Sequence, residues 1–281
     1  MKILKGLKNP DRAWVYLKWN TLGRFYSWIS KFQYHSQYSR VHDDLLKDEK
    51  FLLIILDACR FDYFEDHYED YFEGDLEKVY SSGRNTFEYV SNMWDRDHED
   101  ILYMSGAVVV NSIAGEDWGP EGEASYVNNY VPDDHLRISN YWQREWDEEL
   151  LTVRSEGLVD EIIDKLGIED KIVAHFYQPH APYIGDYQIE EVDGSRSLDA
   201  EESFERFSSG EITEKEIRKA YRANLIYVME EVKRLVEEVD DRRVVITSDH
   251  GELFGEMGIV GHPKKHHHLL REVPWLELKE G

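Results

Sequence analysis

Cysteine is all but missing from this sequence: Cys59 is the single one in 281 residues. No intramolecular disulfide can form, which excludes a disulfide-stapled scaffold. No run approaches the ~20 apolar residues that span a bilayer, and no apolar stretch of the signal-peptide kind follows the start. The expected setting is soluble, reducing and cytoplasmic. Basic charge is scarce as well. There are 33 Lys and Arg against 58 Asp and Glu, a net charge of −25. Such a surface repels DNA, RNA and anionic membranes, so a general nucleic-acid role is not expected. It suits a high-salt cytoplasm, where charges are screened within ~3 Å at 1 M salt. An enzyme with this surface that acts on an anionic ester must supply positive charge locally, from a metal or from Arg, Lys and His.

Hydrophobic residues make up 41% of the chain, enough for one large domain with a sizeable core. The charge is unevenly spread. Residues 1–40 hold Lys2, Lys5, Lys8, Arg12, Lys18, Arg24, Lys31 and Arg40 against Asp11 alone, a net of +7. Trp14, Trp19 and Trp28 lie in the same stretch. Asn9-Pro10-Asp11 has the form of a helix start, and Phe25, Trp28, Ile29 and Phe32 recur at helical spacing. This reads as a basic, aromatic helical arm outside the main sheet. It would either contact a membrane surface, at the inner face, or pack on its own acidic body.

From residue 41 onward the pattern alternates. Phe51 to Leu56 is a continuous apolar run of strand length, as in a central parallel strand buried on both faces. Weaker strands are expected at 78–81 and 101–104, with a helix over 86–94 between them. A strand at 171–177, a long helix over 217–239, a strand at 243–247 and a last strand at 273–278 follow. Alternating strands and helices give an α/β fold with a largely parallel sheet. Segment 108–158 has weak periodicity and reads as an insertion over the site. Segment 186–212 reads as an exposed loop with a short helix. Trp142 and Trp146, four apart, read as core packing, and Cys59 as a small buried hydrophobe.

Open parallel sheets bind ligands at the carboxyl ends of their strands. Three strand ends here carry candidate ligands: Asp57 after the first, His180 after the 171–177 strand, and Asp249 with His250 after the 243–247 strand. One such Asp alone is commonly a helix cap. Their convergence is harder to explain that way. Asp and His are also the residues that hold Zn²⁺ or Mn²⁺ in hydrolytic sites. Ser81-Ser-Gly-Arg-Asn-Thr86 places a hydroxyl at a glycine-containing turn before a helix, where backbone N–H groups favour an anionic oxygen. Thr86 is either a nucleophile or an ordinary N-cap.

Leu56-Asp57-Ala-Cys-Arg60-Phe-Asp62, Gly83-Arg-Asn-Thr86, Gln178-Pro-His180-Ala-Pro-Tyr183, Ser248-Asp-His-Gly-Glu252 and Gly261-His262 through Val273-Pro274-Trp275 occur in that order. Over residues 50–278 they resemble the alkaline phosphatase superfamily, in its sulfatase-like branch, which includes phosphonate monoester hydrolases and lipoteichoic-acid synthases. The chain looks like an acidic, archaeal-type member. The resemblance implies a three-layer sandwich with helices on both faces of the sheet, and a catalytic domain over 41–281. It implies a metal-dependent hydrolase or transferase of phosphate or sulfate esters, on a sugar or lipid-linked glycan. Asp57, Asp249, His250 and Thr86 would hold one divalent ion (Zn, Mn, Mg or Ca), and Thr86 would form the covalent ester. His180 and Arg60 would act on the transferred group, and Arg84, His262 and His267 would bind it. The alternative is a catalytically silent relative that binds anionic glycan or lipid head groups. Two departures stand out. Formylglycine sulfatases carry Cys or Ser in a Cys-x-Pro-x-Arg context, whereas this chain has Thr86-Phe-Glu. Two-metal members carry an Asp just before the position of His180, where this chain reads His175-Phe-Tyr-Gln-Pro.

Overall fold

The computed structural model describes residues 19–110, 136–189, 200–239, 241–263 and 266–279. Numbering only the strands of the main sheet, these are β1 His35–Ser36, β2 Phe51–Asp57, β3 Gly74–Tyr80, β4 His98–Ser105, β5 Leu136–Asn140, β6 Lys171–Pro179, β7 Arg243–Ser248 and β8 Glu272–Leu278. Their spatial order is β1-β3-β8-β7-β2-β6-β4-β5. Every pairing is parallel except the two made by β8. This is the alkaline phosphatase-like α/β sheet, with helices around it.

The β2 strand explains where the site lies. All seven of its residues are buried, as a continuous run of Phe, Leu and Ile requires of a strand covered on both faces. It has β7 on one side and β6 on the other. Leu56 pairs with Ser248, and Asp57, after a register shift, pairs with Pro179. Three parallel strands therefore end at one level, with the chemistry-bearing residues just beyond. The helix Glu214–Val236 opens with a capping box made by Thr213 and Glu216, and packs its Tyr221, Leu225, Val228 and Val232 inward. Trp142 and Cys59 are buried, as their sequence contexts suggest.

Two expectations need correction. Segment 108–158 is not simply an insertion. Its residues 136–140 form edge strand β5, parallel to β4, and Ser155–Leu166 is a helix packed against the Glu214–Val236 helix. Local periodicity missed this because β5 is only five residues long and half-exposed. Residues 111–135 lie outside the described residues. The basic arm also joins the sheet rather than staying outside it. After helix α1 (Arg24–Gln33), β1 adds to β3, and Gln37 is fully buried, donating to Thr247 Oγ1 and the Ser248 carbonyl, each at 2.8 Å. The Asn9-Pro10-Asp11 start lies outside the described residues.

Candidate active site

Asp57 leaves β2 into a tight bend. Ala58 sits in the left-handed region at φ 59°, a strained conformation for a residue with a Cβ. Neighbouring groups hold that bend: the Ala58 N–H donates to Asp249 Oδ1 at 3.0 Å, and its carbonyl accepts from the Tyr221 hydroxyl at 2.8 Å. The turn after β7 is as close. A Cβ on Gly251 would lie 2.0 Å from the Leu269 carbonyl oxygen, so the Ser248–Glu252 loop approaches that backbone only with glycine there. A Cβ on Gly83 would lie 2.3 Å from the Tyr89 nitrogen, which fixes the turn before Thr86 in the same way.

Thr86 opens the helix Thr86–Met93, but it does not cap it. Asn85 does, accepting from the Glu88 N–H at 2.9 Å. The Thr86 hydroxyl is thereby left for other work. It lies 3.3 Å from His250 Nε2, next to the Asp57 carboxylate. His250 Nε2 is also 3.4 Å from both Asp57 Oδ1 and Asp249 Oδ2. Asp57, Asp249, His250 and Thr86, spread over nearly 200 positions, thus meet at one point.

His175 joins them. Its Nε2 is 3.8 Å from Asp249 Oδ2, and a ligand atom each from Asp57, His175 and Asp249 lie within 4.8 Å of one another. Among the described residues, Asp57 Oδ1, Asp249 Oδ2 and His175 Nε2 are buried atoms without a hydrogen-bond partner. Unpaired carboxylates this deep are costly unless a cation compensates them. Burial, and next the Asp249 and Glu252 charges, push the Asp57 carboxyl well above its ordinary range. Burial lowers His175 to about 4, so the ring is neutral and able to ligate. Its other nitrogen, Nδ1, is fixed at 2.7 Å from the Tyr103 hydroxyl, the arrangement that orients metal-binding histidines. The donor set therefore fits a divalent cation.

A second group faces the first. His180, Glu252 and His262 offer ligand atoms within 4.8 Å of one another, and Glu252 Oε1 is buried without a hydrogen-bond partner. The His262 ring is 4.6 Å from His250 and 5.2 Å from His180. Burial opposes protonation of His262, but Glu252, 3.4 Å away, prevails and raises its pKa. Burial and the His262 charge depress His180. One imidazole is thus biased to hold a proton and its neighbour to lack one.

The remaining expected residues lie at the margin. Arg60 is buried, but its guanidinium is bound to Asp62 at 2.6 Å and Glu256 at 2.7 Å. It braces the loop rather than aiming at an anion, because two carboxylates already satisfy its fork. Arg84 is held by Glu88, one helical turn on. His267 is buried, stacks on His268 at 4.6 Å and accepts from the Leu269 N–H at 3.2 Å. His175 and Glu252 were underweighted in the sequence. Strand alternation could have pointed His175 inward. Nothing local marks Glu252.

A family model described as Sulfatase matches residues 116–273, more than half of the chain. The chain belongs to the sulfatase family. Membership places it among ester-acting enzymes. The matched span includes His175, His180, Asp249, His250, Glu252 and His262, while Asp57 and Thr86 precede it. No curated protein matches this sulfatase-family chain. Among solved structures, the soluble domain of lipooligosaccharide phosphoethanolamine transferase A from Neisseria meningitidis aligns with a TM-score of 0.53 and 13% identity, covering 82% of this chain and 76% of that one. The integral membrane form of the same transferase gives 0.52 and 14%, covering 82% of this chain and 47% of that one. A phosphonate monoester hydrolase of Agrobacterium radiobacter gives 0.46 and 14%, covering 82% and 68%. These likenesses concern the fold.

Proposed function

We propose that the chain transfers or hydrolyses a phosphate or sulfate ester by way of a covalent ester on Thr86. The observation that carries this reading is the Thr86 hydroxyl, excused from capping and set beside two buried carboxylates whose facing oxygens have no hydrogen-bond partner. Asp57, Asp249 and His250, with His175 alongside, would hold a divalent cation there. Such an ion supplies charge compensation and lowers the pKa of a nearby hydroxyl. Thr86 Oγ1 forms the new bond to phosphorus or sulfur, its proton going to bulk water, as the bond to the leaving oxygen breaks on the far side. His262, kept protonated by Glu252, gives its proton to that leaving oxygen. His180 would line the space around the transferred group, beside His262. Water or an acceptor hydroxyl then takes the group from Thr86 and restores the hydroxyl. The fold shared with the phosphoethanolamine transferase supports a phosphorus ester, and Thr86 in place of a formylglycine precursor supports it further.

Aryl phosphodiester, phosphonate, phosphate and sulfate esters, assayed with added Zn²⁺ or Mn²⁺, test the reading. Thr86→Ala should abolish turnover, by about a thousandfold or more, while bound metal by elemental analysis stays close to wild type. Turnover that survives the substitution would remove Thr86 as nucleophile.

A further inference from the structure

Helix α1 is docked the wrong way round for a helix of a globular protein. Its body-facing side is built from small polar residues: Ser27 bonds to the Tyr80 hydroxyl at 2.9 Å, and Ser30 donates to Glu272 at 2.6 Å. Its aromatic side faces outward, with Phe25 53%, Tyr26 50%, Trp28 60% and Phe32 72% exposed. Phe25 stacks on Trp28, and Trp28 meets Phe32 edge-on at 5.0 Å, so the rings form one continuous patch. With Leu22 just before them, they make five of the seven exposed large hydrophobics among the described residues. Amphipathic helices ordinarily bury that face.

We infer that the outward face of α1 seats on a bilayer surface containing anionic lipid, with the body of the protein held above it. Charge complementarity selects this occupant. The patch lies in a segment of +7, with Arg24 and Lys31 on α1 itself, in a chain of −25. Bulky aromatics interleaved with cations partition to anionic interfaces. A second copy would bring two strongly acidic bodies together. No described helix is long and apolar enough to cross the membrane, so the contact is peripheral. The placement also orients the molecule. The Tyr26 ring is 5.7 Å from His268, which stacks on His267, so the lipid-facing patch adjoins the loop that follows the second histidine group.

The full chain is sedimented with phosphatidylcholine vesicles, with and without phosphatidylglycerol, at low and high salt. Binding is expected only with the anionic lipid and should fall as salt rises. The triple variant Phe25→Ser, Trp28→Ser, Phe32→Ser should bind about tenfold less or weaker still, with an unchanged circular dichroism spectrum. Lys31→Glu should weaken binding in the same direction. Wild-type protein that ignores anionic vesicles, or a triple variant that binds as wild type, would overturn the inference. A wild-type dimer by light scattering that the triple variant turns into a monomer would overturn it too, in favour of a second copy. None of these readouts depends on turnover, so failure here and failure of the Thr86 mechanism are separable.

Discussion

At the scale of single residues, the site is a set of buried charges whose pairing decides their roles. The Tyr103 hydroxyl holds His175 through Nδ1. Removing its hydroxyl with Tyr103→Phe frees the ring without opening a large cavity. Cation affinity by titration calorimetry should fall about tenfold, and an unaltered affinity would remove His175 from the ligand set. Glu256 illustrates the same logic away from the cation. Burial pushes its carboxyl up, but the Arg60 charge and hydrogen bond prevail and hold it at about 2. A carboxyl depressed on folding stabilises the protein above its unfolded pKa and stops doing so as pH falls toward the folded one. Its contribution, about 1–2 kcal/mol after allowance for solvent screening, should therefore be intact at neutral pH and vanish between pH 4.5 and 2. Glu256→Gln should lower stability at pH 7 by that amount and flatten the acid limb of the denaturation curve. Asp57, Asp249 and His250 were legible in the sequence because each follows an apolar strand. Arg60 was legible as a neighbour of the site, but its pairing with Glu256 was not, since Glu256 reaches it only after folding.

At the scale of elements, the two glycine turns matter more than any strand residue. Gly251 lets the Ser248–Glu252 loop lie against the Leu269 backbone, and that loop carries Asp249, His250 and Glu252. Gly251→Ala must move one backbone past another, at a cost of about 2–3 kcal/mol. It should lower the unfolding midpoint and turnover together. Turnover kept at wild-type level would mean that the loop tolerates the shift and does not fix the ligands. Strands β2, β6 and β7 were readable because they are long and apolar. β5 was not, because a half-exposed strand at a sheet edge carries little hydrophobic signal of its own. β1 is two residues long, and its place beside β3 follows from Gln37 and the serines of α1 rather than from any pattern in its sequence.

At the scale of the molecule, a charge of −25 on 281 residues sets up self-repulsion that opposes compaction. Salt shortens its range from ~30 Å at 0.01 M to ~3 Å at 1 M. The unfolding midpoint should therefore rise with sodium chloride over that range. A flat or falling profile would show that specific ion pairs such as Arg243 with Asp44, Asp48 and Glu277 outweigh the general repulsion. At the sheet edge, α1 docks through Ser27 and Ser30 and β1 through His35 with Glu77, while the aromatic face stays outside.

The sequence by itself determined the α/β class, the order of the motifs and the residues that end β2 and β7, because hydrophobic period and strand-end chemistry are local properties. The tertiary structure alone decided that Asn85 rather than Thr86 caps its helix, that His175 and Glu252 face the cluster, and that Arg60 is already paired. Those outcomes depend on which side chains the parallel register brings to one level, and register is set by contacts between strands more than a hundred residues apart.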